Sequence, residues 1–338
     1  MLRHIKHALF PFALVLVALT GPFVLEPFDL VNLSAFSAMA IAALGLAFAW
    51  GTLGILNLGH SVFFGIGAYA YAIAVSNFGD STLAVLIGTM LPVVFSLVLG
   101  SCLFFSRLGD VYLGVITLCV TLIFYSFMTS TADPWFHIGR VPLGGFNGVT
   151  AIPSLNMPAN PQASLSTEAT FSICLLALAG AHVLLSLVRS SDAGRIMTAI
   201  RESELRSELL GYDIRFYKLV GFALSAAIAG FGGTLYTAMM GFVSPSVFDL
   251  PQASQFVLWV IAGGLGTFVG PVVASFAFQL LSSQLGANQV FNTELIFGAT
   301  IVLFVLLAPQ GLQPMIARIA NLKLTYRFGI FRPKEKAA

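Results

Sequence analysis

The sequence predicts an all-α protein, a polytopic integral membrane helical bundle of about ten transmembrane segments. Two observations carry this reading. Only 9% of the residues are charged, against roughly 25% in an ordinary soluble domain, while 58% are hydrophobic and the mean hydropathy is +0.93. The apolar residues also form continuous runs approaching the ~20 residues a helix needs to cross ~30 Å of hydrocarbon. They lack the ~10-residue alternation of a membrane barrel. A net charge of +2 is too small to point to a nucleic-acid partner.

In chain order, spans are expected near 8–25, 30–49, 61–78, 82–105, 112–130, 169–188, 218–240, 252–265, 268–285 and 291–308. The first has the basic start and apolar core of a signal peptide but no small-x-small cleavage site, and is read as a retained span. The short pair at 252–265 and 268–285 reads either as two spans or as one broken, re-entrant element. Between the second and third spans stands "WGTLGILNLGHSVFFGIGAYAYA", residues 50–72. Its Asn57, Gly59 and His60 are either loop residues touching water or irregular backbone held at membrane depth, which is tolerated only inside protein or along a cavity. "AGGLGTFVG", 262–270, interrupts the late apolar pair in a similar way, and the two halves together read as an internal repeat.

Orientation follows from lysine and arginine. Arg3 and Lys6 precede the first span. Arg189, Arg195, Arg201, Arg206, Arg215 and Lys218 lie in or beside the insert 189–217, and Arg318, Lys323, Arg327, Arg332, Lys334 and Lys336 in the tail. Ten crossings place all three groups, and both termini, on the cytoplasmic side. The expected organisation is one transmembrane domain over 1–315, with an external segment 131–168 and a cytoplasmic insert 189–217, and a basic cytoplasmic tail 316–338.

The spans hold few ionisable groups: Arg107, Asp110 and Glu294 near ends, and His60 and His182. Ion-coupled carriers commonly need carboxylates at depth, so transport energy is expected to enter elsewhere, with a secondary carrier kept as the alternative. A phosphate loop, H-E-x-x-H and G-x-S-x-G are missing from the sequence, and no enzyme activity is expected. Cys102, Cys119 and Cys174 lie in apolar runs without metal or redox spacing and read as packing residues; no metal or cofactor is expected.

The insert carries the densest charge. Asp192 reads as a cap for a helix starting near Gly194, with Ile196, Ala199 and Ile200 on one apolar face. Leu205 and Leu209 fall on another face, so two short helices with a break near Ser203 fit better than one. Glu202 and Arg206 stand at pairing distance, Glu204 and Glu208 add rim charge, and Gly211 reads as a helix stop. Such an amphipathic insert suits docking to a soluble partner. In the following span Gly221, Ser225, Ala229 and Gly233 recur every four residues, a ridge that brings a neighbouring helix close, with a substrate-lining face as the other reading.

"AIRESELRSELLGYDIRFYKLVGFALSAAIAGFGGTLY" closely resembles the cytoplasmic loop and next span of the branched-chain amino acid ABC transporter permease family. "GILNLGHSVFFGIGAYAYA", "RLGDVYLGVITL", "LGGFNGVTAIP", "WVIAGGLGTFVGPVVASF" and "LLAPQGL" match it in the expected order, over about residues 30–315. The resemblance implies an importer in the bacterial inner membrane. Its partners would be a second, paralogous permease, two separate cytoplasmic ATP-binding subunits, an extracytoplasmic substrate-binding protein and membrane lipid. With no ion-coupling carboxylates in the spans, the charged amphipathic insert is where ATPase coupling is expected, at Gly194, Ile196, Ala199, Ile200, Arg201, Glu202, Glu204, Glu208 and Gly211. The matching position of the glycine-rich turns in the two halves makes Asn57, Gly59, His60, Gly65, Gly263, Gly264 and Gly266 the expected translocation route. The family often has arginine where this chain has Leu265, and the match is poor between Pro153 and residue 168. The resemblance implies branched-chain or related amino acids as the cargo, with urea, amides or aromatic compounds, carried by relatives, as the alternative.

Overall fold

The computed structural model describes residues 2–288 except 107, 108, 134 and 159, together with Gly298. Apart from Gly298, the expected span at 291–308 lies outside the described residues, as do the basic tail, Arg107 and Glu294. The helices are α1 (Leu2–Val24), α2 (Pro27–Leu53), α3 (Ser61–Phe78), α4 (Ser81–Phe105), α5 (Asp110–Ser130) and α6 (Thr167–Ser190), then α7 (Asp192–Glu202), α8 (Glu204–Leu209), α9 (Ile214–Met240), α10 (Leu250–Gly263) and α11 (Val269–Asn288). Among the described residues six of them, α2 to α6 and α9, are long and apolar enough to cross a membrane, and α1 contributes the shorter apolar stretch Leu9–Val24. The ambiguous late segment forms two helices. At ~1.5 Å per residue the 14 residues of α10 reach only about 21 Å, short of a bilayer core.

The long helices alternate in direction between two faces. One face carries the insert α7–α8, the start of α9 and the ends of α2 and α6, and is called here the basic face. The other carries the segment between α5 and α6, and is called the cap face. Start and end are legible in local chemistry. Pro27 opens α2 after Glu26, where a missing N–H costs nothing, and Gly54 closes it with a left-handed φ of 77°. Asp80 caps α4 through Thr82 N at 2.8 Å, and Asp213 caps α9 through Arg215 N and Phe216 N.

Helix α9 is the axis of the bundle, with α2, α3 and α4 packed around it. Lipid gives helices no hydrophobic reason to associate, so their contact relies on close van der Waals fit between small residues. Antiparallel α2 and α9 meet this way: Ser225 Oγ donates to Gly45 O at 2.8 Å, and a Cβ on Gly221 would lie 2.5 Å from Leu53 Cδ1. Of the ridge seen in sequence, Gly221, Ser225 and Ala229 face α2, whereas Gly233 faces α3, where a Cβ would lie 2.0 Å from Phe64 O. Three helices converge at Gly67, Gly88 and Gly230. A Cβ on Gly67 would meet Gly230 O at 2.3 Å, and one on Gly230 would meet Gly88 O at 3.0 Å and Pro92 Cγ at 2.4 Å.

Two segments break the helical pattern inside this packing. Residues 54–60 leave the end of α2 at the basic face and turn back inward. His60 reaches Ala42 O and lies against Gly45, about 12–16 Å up α2 from its end. Residues 241–249, containing a short 3-10 helix at Pro245–Phe248, enter from the cap face. Phe248 stacks on Tyr69 at 5.7 Å between centroids, about 14 Å below the end of α3. Each follows a 27-residue helix closed by a left-handed glycine, Gly54 or Gly241. Each leads into a shorter helix, α3 or α10. The structural counterpart of "GILNLGH" is therefore 241–249, entering from the opposite face, and not "AGGLGTFVG" as the sequence pattern proposed. The latter forms a turn on the basic face beside the end of α2.

The expected external segment folds into a cap. It holds two antiparallel hairpins, β1 (His137–Ile138) with β2 (Val141–Pro142) and β3 (Asn156–Met157) with β4 (Asn160–Ser164), plus a 3-10 turn at Gly145–Asn147. Buried Asn156 fastens it to the α3–α4 turn, accepting from Ser81 N at 3.1 Å and donating to Gly79 O at 2.7 Å. Asn77 bonds Ile138 O and Arg140 N, and a bridge joins Val149 to Val243.

If α9 is the axis, Gly230→Val overpacks the junction and lowers stability by about 1–3 kcal/mol or more, read as a lower melting temperature in detergent. Gly180→Val is the matched control, since nothing lies within 4 Å of a Cβ there, and it should melt like the parent.

Candidate functional site

Asn57 and His60 are both fully buried, so the water-touching loop reading fails, and the segment is irregular backbone held inside the protein. The fold shields that backbone with its own side chains. His60 Nε2 lies 3.1 Å from Ala42 O, a group that can only accept, so Nε2 carries the proton. Nδ1 is then free to accept from Asn57 Nδ2 at 3.2 Å, and the ring is neutral. Thr117 and Thr121 of α5 clamp the other side: Gly59 N donates to Thr117 Oγ1 at 3.4 Å and Thr121 Oγ1 donates to Gly59 O at 2.9 Å. Phe63 and Phe256 close around the imidazole at 5.9 and 6.4 Å. Among the described residues, Asn57 Oδ1 and Ser61 Oγ have no hydrogen-bond partner, though both are buried.

The remaining residues expected along a route are close-packed as well. A Cβ on Gly65 would lie 2.2 Å from Phe248 Cε1, and one on Gly263 would lie 2.1 Å from Pro271 N at the α10–α11 crossing. Gly264 and Gly266 have φ of 103° and 82° and form the turn itself, held by Thr267 Oγ1 donating to Gly264 O at 2.7 Å. In this conformation Gly65, Gly263 and Gly264 are buried and Gly266 is half-buried, and α5 covers the 54–60 segment through Thr117 and Thr121.

On the basic face the insert breaks at Ser203 into two helices, as its register shift required. Several details differ from the sequence reading. Ser191, not Asp192, caps α7, accepting from Gly194 N at 3.3 Å. The buried stripe of α7 is Gly194, Met197 and Ile200, turned inward against the bundle, with Ile196 half-buried and Ala199 exposed. The apolar face Ile196–Ala199–Ile200 is thus not free to receive a partner, because Ile200 is already buried beneath its own chain. Met197 was available at helical spacing from both Gly194 and Ile200; the pattern was there with a different centre. Glu202 and Arg206 do not pair, since Ser203 with extended backbone separates their helices. Glu204 instead bonds Lys218 of α9 at 2.5 Å, and Arg201 Nη1 turns inward to Gly51 O at 2.5 Å. Gly211, with φ 89°, does end α8.

Among the charged residues Glu204, Arg206 and Glu208, which are also exposed, α8 and its C-cap leave three leucines in the open: Leu205, Leu209 and Leu210 are 68%, 79% and 75% exposed. The side chain missed from sequence is Arg189, at the end of α6, whose Nη1 donates to Gly266 O and whose guanidinium lies 5.5 Å from the Phe268 centroid. Among the described residues no group of three or more His, Cys, Asp or Glu side chains could hold a metal ion.

A bundle of apolar helices around a glycine-lined axis, with buried irregular backbone entering from both faces and a charged insert outside them, defines a multi-pass membrane transport protein. The chain matches, over residues 30–306, the family described as the permease component of the branched-chain amino acid transport system, and it belongs to that family. It is 30% identical to the high-affinity branched-chain amino acid transport system permease protein LivM of Escherichia coli K12, over 94% of this chain and 78% of the relative. It is 29% identical to the LivM protein of Salmonella typhimurium LT2 over the same shares. No solved structure matches the chain. The family is one of transport permeases, not of enzymes.

Gly59→Val puts a Cβ 1.9 Å from Thr117 O and should yield no folded protein, rather than a folded protein that transports poorly. Thr121→Val keeps the shape but strips Gly59 O of its buried donor, at about 1–3 kcal/mol; detergent melting curves check both.

Proposed function

We propose that this chain is one of two membrane permeases in an ATP-driven importer of branched-chain amino acids. It sits in a bacterial inner membrane with its basic face toward the cytoplasm. Two ATP-binding subunits dock on the insert, and a substrate-binding protein delivers its cargo at the cap face. Family membership supports this reading, and the substrate follows from what the LivM relatives are named for. The observation that carries the coupling part is the leucine cluster of α8. Leu205, Leu209 and Leu210 stand exposed on the charged helical insert, among Arg206 and Glu208, and exposed leucines outside the bundle suit a protein contact. Glu202 and Glu208 at its rim set orientation more than affinity. The docking surface is α8 with the exposed side of α7, and the buried stripe of α7 is its footing.

The substrate route is proposed to open along 54–60. Past Gly54 that segment is not helical, it holds one buried polar atom, Asn57 Oδ1, without a partner among the described residues, and it is covered on one side by α5, of which little is buried. Moving α5 away would expose backbone and hydroxyls suited to a zwitterion.

Leu209→Asp, or Leu205→Asp, should leave the permease inserted while co-purification of the ATP-binding subunits is lost; full retention by both variants places docking elsewhere. Proteoliposomes holding the whole complex should take up labelled leucine only with ATP inside. Uptake driven by an ion gradient without ATP would instead establish a secondary carrier. With Cys102, Cys119 and Cys174 replaced, an impermeant maleimide added to intact cells should label Thr150→Cys and spare Ser190→Cys. The reverse pattern inverts the orientation.

A further inference from the structure

Two glycine turns that the sequence shows far apart meet in space at one arginine. The end of α2 touches the α10–α11 turn: a Cβ on Gly51 would lie 2.9 Å from Gly266 N and 3.0 Å from Gly266 Cα. Arg201 of α7 sits over this contact. Its Nη1 donates to Gly51 O at 2.5 Å, a Cβ on Gly54 would lie 3.2 Å from its Cγ, and a Cβ on Gly266 would lie 3.6 Å from its Nη1. From the other side Arg189 of α6 donates to Gly266 O, with its guanidinium over Phe268.

The chemistry of these bonds is specific. Gly51 lies in the last turn of α2, whose final carbonyls have no intrahelical donor, and a cation is favoured at that end of a helix. A guanidinium is a fixed, always-charged fork, and a bond from it to a carbonyl is among the stronger polar contacts. The two arginines stand near each other, yet each is bonded to main chain and neither to a carboxylate in the described residues. Their bonds therefore fasten elements together and do not neutralise charge. The footing of α7, Met197 and Ile200, is apolar and can slide. The Arg201 bond cannot slide without breaking.

We propose that Arg201, held in register by Arg189, is the positioning residue that transmits displacement of α7 to the start of the 54–60 segment and to the α10–α11 turn together. This rests on the reading that ATP-binding subunits dock on α7–α8. When they move the insert, Gly51, Gly54 and Gly266 move with it, because one side chain spans all three. The Glu204–Lys218 pair ties α8 to α9 separately, so the insert pulls on the axis helix and on the two turns at different points.

The test uses the complete complex with Arg201→Gln, Arg201→Lys and Arg189→Gln. Three quantities are read: retention of the ATP-binding subunits, ATP hydrolysis, and leucine uptake. For Arg201→Gln, retention and hydrolysis should persist while uptake per ATP falls about tenfold or more, the scale of losing a charged hydrogen bond. Arg201→Lys, which keeps a cationic donor, should recover part of that ratio. A merely structural role would lower all three quantities in proportion to the amount of folded complex, and would leave uptake per ATP unchanged. An unchanged ratio in Arg201→Gln overturns the proposal, as does loss of the ATP-binding subunits from that variant, which would make Arg201 a docking residue. If the parent complex itself retains no ATP-binding subunit, the reading of docking fails, and this proposal falls with it.

Discussion

Backbone must touch backbone at the centre of this bundle, and most of the architecture answers to that constraint. Where Gly67, Gly88 and Gly230 converge, three helices approach closer than any side chain allows. Inside a bilayer the surrounding lipid is as apolar as leucine, so a looser interface would have little to hold it. Close approach supplies dense dispersion contact, and it also fixes rotation and register, because only one arrangement aligns the glycines. The 27-residue α9 can therefore serve as a common wall for α2, α3 and α4. With that wall in place, interruptions of helix elsewhere become tolerable.

Those interruptions are where the proposed route lies. Backbone outside a helix at membrane depth carries N–H and C=O groups that lipid cannot satisfy. Here Thr117 and Thr121 satisfy the backbone of Gly59, His60 holds the Asn57 side chain, and aromatic rings seal the segment. α5 supplies the threonine side of that seal, Phe63 of α3 and Phe256 of α10 supply the rings, and little of α5 is itself buried. The central helices are locked by main-chain contact and the segment is closed by side chains. A transporter needs that division between parts that stay and parts that move.

The sequence shows the helices well, because uninterrupted apolar runs leave little choice of structure. Ser203 was legible as a break because Ile200 and Leu205 cannot share a helical face. The faces themselves were less legible. In a chain where nearly everything is apolar, amphipathic pattern does not say whether an apolar stripe meets a partner or its own bundle. Ile200 and Leu205 look alike in sequence, yet one is buried and the other is mostly exposed. The internal correspondence was drawn between the wrong pair of turns for a related reason. "GGLGTFVG" has the composition of an interruption, whereas the true counterpart, "GFVSPSVFD", reads as an ordinary loop and takes its depth from Phe248 seated against Gly65 and Tyr69. Arg189 drew notice only as part of a charge cluster, since its partner is a carbonyl 77 residues away.

The fastening of the cap bears on how the outer surface communicates with the interior. Asn77 and Asn156 pin both hairpins to the α3–α4 turn, and Tyr71 reaches from within α3 to Pro153 O at 3.1 Å. The bridge from Val149 leads to the segment that plunges toward Phe248. A body pressing on the cap thus loads α3 and the descending 241–249 segment first, and α1, which packs along α6, receives that load only through intermediaries. Touch on the outside is delivered to the same two helices, α3 and α10, that flank His60. On the proposed reading, the cap and the rings around His60 are joined through these two helices.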